Sequence, residues 1–236
     1  MSMIAWLRDA APFPPVERAR DDLGGLLAAG GDLSPQRLLD AYSRGIFPWY
    51  SDDEPILWWS PDPRMVLYVD EFHASRSLMR RMRKGEYEMR VDTAFEAVMR
   101  ACAEPRPEQD GTWIQTEIIE AYVRLHELGY AHSVESWRDG ELVGGLYGVA
   151  LGRVFFGESM FARATDASKT ALAHLVQLLG TYDVSLIDCQ METEHLASLG
   201  ARPIPRAQFV REIAPLVEFP VPCGNWADRS ASLLRS

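Results

Sequence analysis

What this sequence lacks narrows it first. Cysteine is scarce: Cys102, Cys189 and Cys223 are the whole set, and no two have metal-ligand spacing. A sparse, odd number excludes a disulfide scaffold and suits a reducing cytoplasm. The histidines show no HExxH or similar spacing, so no metal is expected. No apolar run approaches the roughly 18–20 residues of a membrane span. The segment from Met1 to Asp9 lacks the basic start and long apolar stretch of a signal peptide. No membrane partner is expected, and the expected location is cytoplasmic. Positive charge is also short. A formal net charge of −10 argues against nucleic acid as a partner unless the basic residues cluster. Hydrophobic residues still make up 47% of the 236 positions, enough for a proper globular core.

Pro and Gly break up residues 1–32. Phe13-Pro-Pro and the run Leu23-Gly-Gly-Leu-Leu-Ala-Ala-Gly-Gly-Asp predict extended segments and turns. A short helix follows, with Ser34 as N-cap, Pro35 at its first position and Gly45 as its stop. Leu38, Leu39 and Tyr42 form its buried stripe. Trp49, Trp58 and Trp59 then lie among prolines, as a packing cluster or as a stacking wall with exposed π faces. The step Pro61-Asp62-Pro63 marks a boundary. It divides a small irregular N-terminal domain, residues 1–62, from a larger domain, residues 63–236.

Downstream, residues 64–69 read as a strand. On the helix that follows, Arg76, Arg80, Arg83 and Lys84 fall on one face, with Arg81 off it. No acid interrupts the run between Glu71 and Glu86. The face is either simply solvated or built for phosphates, since aligned Arg and Lys track a nucleic-acid backbone. Asp92 is expected to cap a helix over 92–102, and Thr116 to cap another that Gly129 closes. Between them, Glu104 to Gly111 reads as a loop.

From His132 the apolar period changes to two. Strands are predicted at His132–Trp137, Glu141–Ala150 and Arg153–Phe161, with Asp139-Gly140 as a hairpin turn. Gly144, Gly145 and Gly148 imply close backbone approach. Asp166 is expected to cap a helix carrying Ala171, Leu172, Leu175, Leu178 and Leu179. Val184–Cys189 is the last core strand. A short helix near His195–Leu199, an arm from Pro203 to Pro222 and a loose C-terminus complete the chain. A helical crossover between neighbouring strands requires parallel pairing. The class is α+β: a mixed sheet with flanking helices.

The unit Arg153–Gln190 carries a carboxylate in each of its apolar strands, Glu158 and Asp188. Burying an ionised carboxylate is costly unless it is paired. Alternation puts Asp188 and Gln190 on one face and Ile187 and Cys189 on the other. The carbonyl of Gln190 can accept a hydrogen bond from an amine nucleophile, and Asp188 can stabilise the developing charge. An α-amine needs little more, because its ordinary pKa of about 7.7–8.0 leaves it partly neutral. No Ser-His-Asp or Cys-His set is legible. Phe155, Phe156, Met160, Leu172, Leu175 and Ile187 are either core or the wall of a ligand pocket.

These residues sit within longer stretches: Gly24-Gly-Leu-Leu-Ala, Gly30-Gly-Asp-Leu-Ser-Pro, Arg44-Gly-Ile-Phe-Pro-Trp-Tyr, Leu57-Trp-Trp-Ser-Pro-Asp-Pro-Arg, Gly111-Thr-Trp-Ile, Gly144-Gly-Leu-Tyr-Gly, Phe156-Gly-Glu-Ser-Met-Phe, Ala167-Ser-Lys, Leu186-Ile-Asp-Cys-Gln and Leu199-Gly-Ala. With them, in this order, the chain resembles the bacterial leucyl/phenylalanyl-tRNA–protein transferases. The resemblance implies transfer of Leu, Phe or, less efficiently, Met from aminoacyl-tRNA to a protein beginning with Arg or Lys, marking it for the N-degron route of degradation. It implies a C-terminal acetyltransferase-like (GNAT-like) domain. It implies an aminoacyl side-chain pocket of Leu146, Phe155, Met160, Leu172, Leu175 and Ile187, with Leu146 and Leu175 where the family carries larger or softer side chains. Trp49 and Trp113 would bind the aminoacyl-adenosine end, and Glu158 the acceptor peptide. Asp188 and Gln190 would be the catalytic pair, and Arg76, Arg80, Arg83 and Lys84 the tRNA contact. The ester is already activated, so no cofactor is expected. Oligomeric state leaves no mark on the sequence, and a monomer is the expectation.

Two rivals are weighed. A coenzyme-A-dependent N-acyltransferase would need a Gly-rich pyrophosphate loop before the crossover helix, where this chain has Ala162-Arg-Ala-Thr-Asp-Ala-Ser-Lys. A non-catalytic tRNA- or peptide-binding module would keep the basic helix but would not need Asp188 and Gln190.

Overall fold

The computed structural model describes residues 4–8, 11–105, 113–220 and Trp226. Most of the loop expected at Glu104–Gly111, together with Cys223 and the C-terminal tail around Trp226, lies outside the described residues. The N-terminal part is extended and turn-rich, and its short strands meet in a small sheet. These are β1 (Ala5–Leu7), β2 (Leu26–Gly30), β3 (Phe47–Pro48) and β4 (Leu57–Trp59), in the order β1-β2-β4-β3. Between β2 and β3 runs α1 (Pro35–Ser43). The Ser34 hydroxyl accepts from the Arg37 N–H as its cap, and Leu38 and Tyr42 are fully buried.

The second sheet begins with β5 (Arg64–Tyr68). Then come α2 (Arg76–Lys84), β6 (Glu88–Val91), α3 (Phe95–Cys102) and α4 (Thr116–Glu127). The meander is β7 (Ala131–Arg138), β8 (Glu141–Leu151) and β9 (Val154–Ala162). The crossover helix α5 (Ala167–Thr181) leads to β10 (Leu186–Gln190) and the short α6 (Glu194–Ala197). The presumed arm is structured: β11 (Arg202–Ile204) adds an edge strand, and α7 (Arg206–Val217) buries Phe209 and Ile213. The seven-stranded order is β11-β5-β10-β9-β8-β7-β6, and β9 and β10 pair in parallel as the crossover requires. Among the described residues no helix is long and apolar enough to cross a membrane.

Alternation along the strands feeds two apolar layers. Val66, Tyr147, Val149, Phe156 and Leu186 face α1, α3, α4 and α7. Leu67, Leu146, Ala150, Phe155 and Ile187 face α2 and α5. The glycines of β8 allow close packing on both sides. A Cβ on Gly144 would come within 2.5 Å of the Ala167 side chain, and one on Gly148 within 2.2 Å of the Phe156 carbonyl.

Three expected helix caps do different work. Asp92 and Asp166 both adopt left-handed φ, 57° and 59°. Asp92 accepts from His132 Nδ1 and the Ser133 N–H. The start of α3 is instead capped from across the sheet, where Glu135 accepts the Thr93 and Ala94 N–H groups. Asp166 takes Arg81 and Lys169 as charge partners. Thr116 is the first helical residue of α4, and the cap position belongs to Gln115.

Candidate active site

Pairing between β9 and β10 stops at Phe156 and Asp188. Beyond that point β9 continues to Ala162 and β10 to Gln190 as separate strands. The gap opens into a cleft of about 1140 Å³. Glu158, Ser159, Met160 and Phe161 line one wall, and Cys189, Gln190 and Met191 another. Trp49 and Trp113 line it as well. Trp49 is 38% exposed, tilted against Trp59 at 5.6 Å, and its carbonyl accepts the Trp59 indole N–H. A rigid, half-free indole of this kind offers a face for a flat ring.

At the end of β10 the alternation breaks. The pairing with β5 shifts between Asp188 and Gln190, and Gln190 adopts a left-handed φ of 62°. A non-glycine residue there costs on the order of 1–2 kcal/mol. Asp188 Oδ1 offsets this by accepting the Gln190 backbone N–H at 2.9 Å. The result places Asp188 fully buried below the cleft, while Cys189 and Gln190 both reach it. Asp188 is not an isolated charge. Arg64 Nε and Nη2 bind its two oxygens at 2.8 and 2.6 Å, with both side chains essentially inaccessible.

Glu158 forms the floor of the cleft and is held from three sides. Tyr42 Oη donates to Oε1 at 2.8 Å, Tyr122 Oη to Oε2 at 3.3 Å, and Gln190 Nε2 to Oε1 at 2.8 Å. The two tyrosine hydroxyls also lie within bonding distance of each other; with one hydrogen each, they complete all three contacts only when the Glu158 carboxyl carries a proton of its own. Burial, reinforced by the Asp188 charge and opposed by the three donors, pushes the Glu158 carboxyl up to about 7. Burial and the nearby Glu158 hold both tyrosines well above their ordinary value, so they remain donors. Burial also raises the Cys189 thiol far above its ordinary value, which leaves no thiolate for covalent chemistry.

Of the apolar set, only Met160 lines the cleft. Leu146, Phe155, Leu172, Leu175 and Ile187 form the layer behind it, each no more than 5% exposed. On α2, Arg76, Arg80, Arg83 and Lys84 are all exposed, and none makes an ion pair with a described residue. Arg81 instead binds Glu86 and Asp166, tying α2 to the start of α5, where Ser168 lines the cleft. Among the described residues no cluster of His, Cys, Asp and Glu is arranged to hold a metal ion.

Tyr42, Tyr122 and Arg64 carry no local signature as site residues. The usable signal is indirect. A tyrosine in the buried stripe of a helix needs a partner for its hydroxyl, and an arginine in a buried strand needs an acid. Each partner lies 36 to 124 residues away in sequence.

Comparison with known proteins identifies the family of the chain. Residues 66–214 match the family model for leucyl/phenylalanyl-tRNA protein transferase, and residues 31–62 match the model for the N-terminal domain of the same enzymes. A leucyl/phenylalanyl-tRNA–protein transferase of Nitrosospira multiformis is 61% identical over 92% of this chain and 94% of its own length. The one from Aromatoleum aromaticum is 59% identical over 99% of both. Among solved structures, a GCN5-related glucosamine N-acetyltransferase region of a fungal β-N-acetylglucosaminidase overlays on 66% of this chain and 20% of its own, with a TM-score of 0.43 and 13% identity. That likeness is too distant to add weight. The sequence relationships suffice: this chain belongs to the leucyl/phenylalanyl-tRNA protein transferase family.

Proposed function

We propose that this chain transfers Leu or Phe, and less efficiently Met, from aminoacyl-tRNA to the α-amino group of a protein beginning with Arg or Lys. The observation that carries the reading is the bond from Gln190 Nε2 to Glu158 on the floor of the cleft. With one amide N–H engaged there, Gln190 has its carbonyl oxygen left to accept an N–H of the incoming amine. The neutral amine attacks the ester carbonyl. The C–N bond forms, the bond to the terminal ribose oxygen breaks, and a proton lost by the amine ends on that oxygen. Positioning and charge stabilisation supply most of the rate for so activated an ester.

In this reading Asp188 fixes and supports Gln190. Trp49 and Trp113 take the terminal adenosine. Met160 guards the entrance to the apolar layer of Leu146, Phe155, Leu172, Leu175 and Ile187, which selects the amino acid. Arg76, Arg80, Arg83 and Lys84 carry the tRNA backbone. Glu158, with Asp52 and Asp53 also on the cleft, lends it negative charge that suits a cationic N-terminus, while Glu104 there is paired with Arg163. The segment leading into α5, Ala162-Arg-Ala-Thr-Asp-Ala-Ser-Lys, argues against coenzyme A, because it has no glycine to form a pyrophosphate-binding loop.

The test is incubation with Leu-tRNA and a peptide beginning with Arg, with mass detection of an added N-terminal Leu. An N-acetylated copy of the peptide should gain nothing, and acetyl-coenzyme A should not replace the tRNA. Addition of no residue to the free Arg peptide would overturn the reading.

A further inference from the structure

Arg64 ends the stretch Leu57-Trp-Trp-Ser-Pro-Asp-Pro-Arg, and the chemistry above makes no use of it. It is the first residue of β5 and fully buried. Its guanidinium edge grips Asp188 through two bonds. Its flat faces are covered by Phe47 at 4.7 Å and Phe209 at 4.8 Å. Its remaining nitrogen, Nη1, finds no acceptor among the described residues.

This is a poor way to gain stability. Replacing a buried ion pair by apolar side chains of similar volume is often neutral or favourable, and an unbonded buried N–H makes this pair costlier still. What the arrangement does provide is alignment. Asp188 carries the bent end of β10 through its bond to the Gln190 N–H. Phe47 begins β3, which ends at Pro48 and leads directly to Trp49, and all three line the cleft. Phe209 belongs to α7, the helix packed beneath. One planar group thus touches the strand ending in Gln190 and the strand leading to Trp49.

We propose that Arg64 is a positioning residue. It holds Asp188, and through it Gln190, in register with the Trp49 wall, so that the aminoacyl ester and the amide meet at the right separation. This rests on the assignment of Asp188 and Gln190 to the reaction. A lysine cannot replace it, because an ammonium offers neither the two-pronged edge nor the flat faces.

The test is single-turnover Leu transfer to an Arg peptide at saturating Leu-tRNA, with tRNA affinity measured separately. The proteins are wild type, Arg64→Lys, Asp188→Asn and the double variant. Misplacement by about 1 Å costs on the order of 10²-fold in rate, so Arg64→Lys should slow transfer by roughly that factor while tRNA affinity stays unchanged. Because Arg64 acts through Asp188, the double variant should be no slower than Asp188→Asn alone. Phe209→Leu, which keeps the charge pair and loosens one face, serves where Arg64→Lys fails to fold; it should slow transfer without weakening tRNA binding. Wild-type rates in Arg64→Lys, or in Phe209→Leu in its place, overturn the proposal, as do losses that multiply in the double variant or fall wholly on tRNA affinity. If Asp188→Asn is slow and Arg64→Lys is not, the positioning role alone fails. If Asp188→Asn transfers at the wild-type rate, the catalytic assignment fails and the positioning role with it.

Discussion

Gln190 donates its side-chain Nε2 to Glu158 at 2.8 Å, bridging the two strands just past the point where they part. The bond gives the amide nitrogen a partner, and in the proposed mechanism the carbonyl oxygen meets the amine. A side chain that orients an attacking amine in this way contributes mainly to the transition state. Gln190→Ala should therefore lower the single-turnover rate by about 10²–10³-fold, the scale of losing one well-placed polar partner. Affinity for charged tRNA should stay near wild type. An undiminished rate would remove Gln190 from the mechanism.

Glu158 makes stability depend on pH in an unusual direction. Its carboxyl titrates at about 7 in the folded chain against an ordinary value of 4.5. Between those values the folded state binds the proton and the unfolded state does not, so stability falls as pH rises through the window. The favourable contribution is complete below 4.5 and gone above 7. At 1.36 kcal/mol per pKa unit the difference across this window is on the order of 3 kcal/mol. Exposed carboxylates such as Glu71 and Glu88, held below their ordinary value mainly by Arg202 and Arg90, work the opposite way in both proteins. The informative quantity is the difference between wild type and Glu158→Gln in urea unfolding at pH 5.5 and pH 8. Glu158→Gln should gain on wild type at the higher pH, and parallel pH dependences would contradict the burial of a titrating group here.

Much of this arrangement was legible because it is local. The period-two runs of β7, β8 and β9, the Asp139-Gly140 turn with both residues at left-handed φ, and the crossover to β10 all follow from pattern and turn chemistry. The failures have physical causes. Pro205 and Pro215 hid α7, although Pro205 stands at its N-cap and Pro215, inside it, forgoes a backbone bond only near the helix end. Asp92 looks like a cap, yet it is drawn to His132; Asp166 does stand at the N-cap of α5, but its side chain makes no cap bond and pairs with Arg81 instead. Simple alternation could not foresee the bulge that separates Asp188 from Gln190. The clasp of Tyr42 and Tyr122 on Glu158 joins three elements, and no window of sequence contains it.

The basic face of α2 makes a prediction about salt. Arg76 and Arg80 are exposed and unengaged by described acids, so they are available to phosphates. Each phosphate neutralised contributes about 0.9 to the slope of log affinity against log salt for duplex DNA. Arg76→Ala with Arg80→Ala should make the tRNA-binding slope shallower by roughly one to two, with little change in thermal stability because neither side chain is buried. Arg81→Ala should act differently: it breaks the ties to Glu86 and Asp166 and should cost stability first. An unaltered salt slope in the double variant would return the face to ordinary solvation.

The apolar layer behind the cleft offers the sharpest test of amino-acid choice. Met160 lines the cleft and packs on the layer beneath, opposite Leu146 in the β8–β9 pairing. Its long, flexible side chain is suited to admitting unlike shapes. Met160→Ala should widen the entrance and favour Phe over Leu, with a change in the transfer ratio of about tenfold or more, since one methylene in an apolar pocket is worth about 1–3 kcal/mol. Phe155 lies deeper, at 1% exposure, and Phe155→Ala should also lose about 3–5 kcal/mol of stability through the cavity it leaves. Phe155→Leu keeps most of the volume and separates the two effects. Competition between Leu-tRNA and Phe-tRNA for one Arg peptide reads the ratio directly. If neither Met160→Ala nor Phe155→Leu moves it, the layer is core alone, and selection must lie with the tRNA or with the aromatic residues at Trp49 and Trp113.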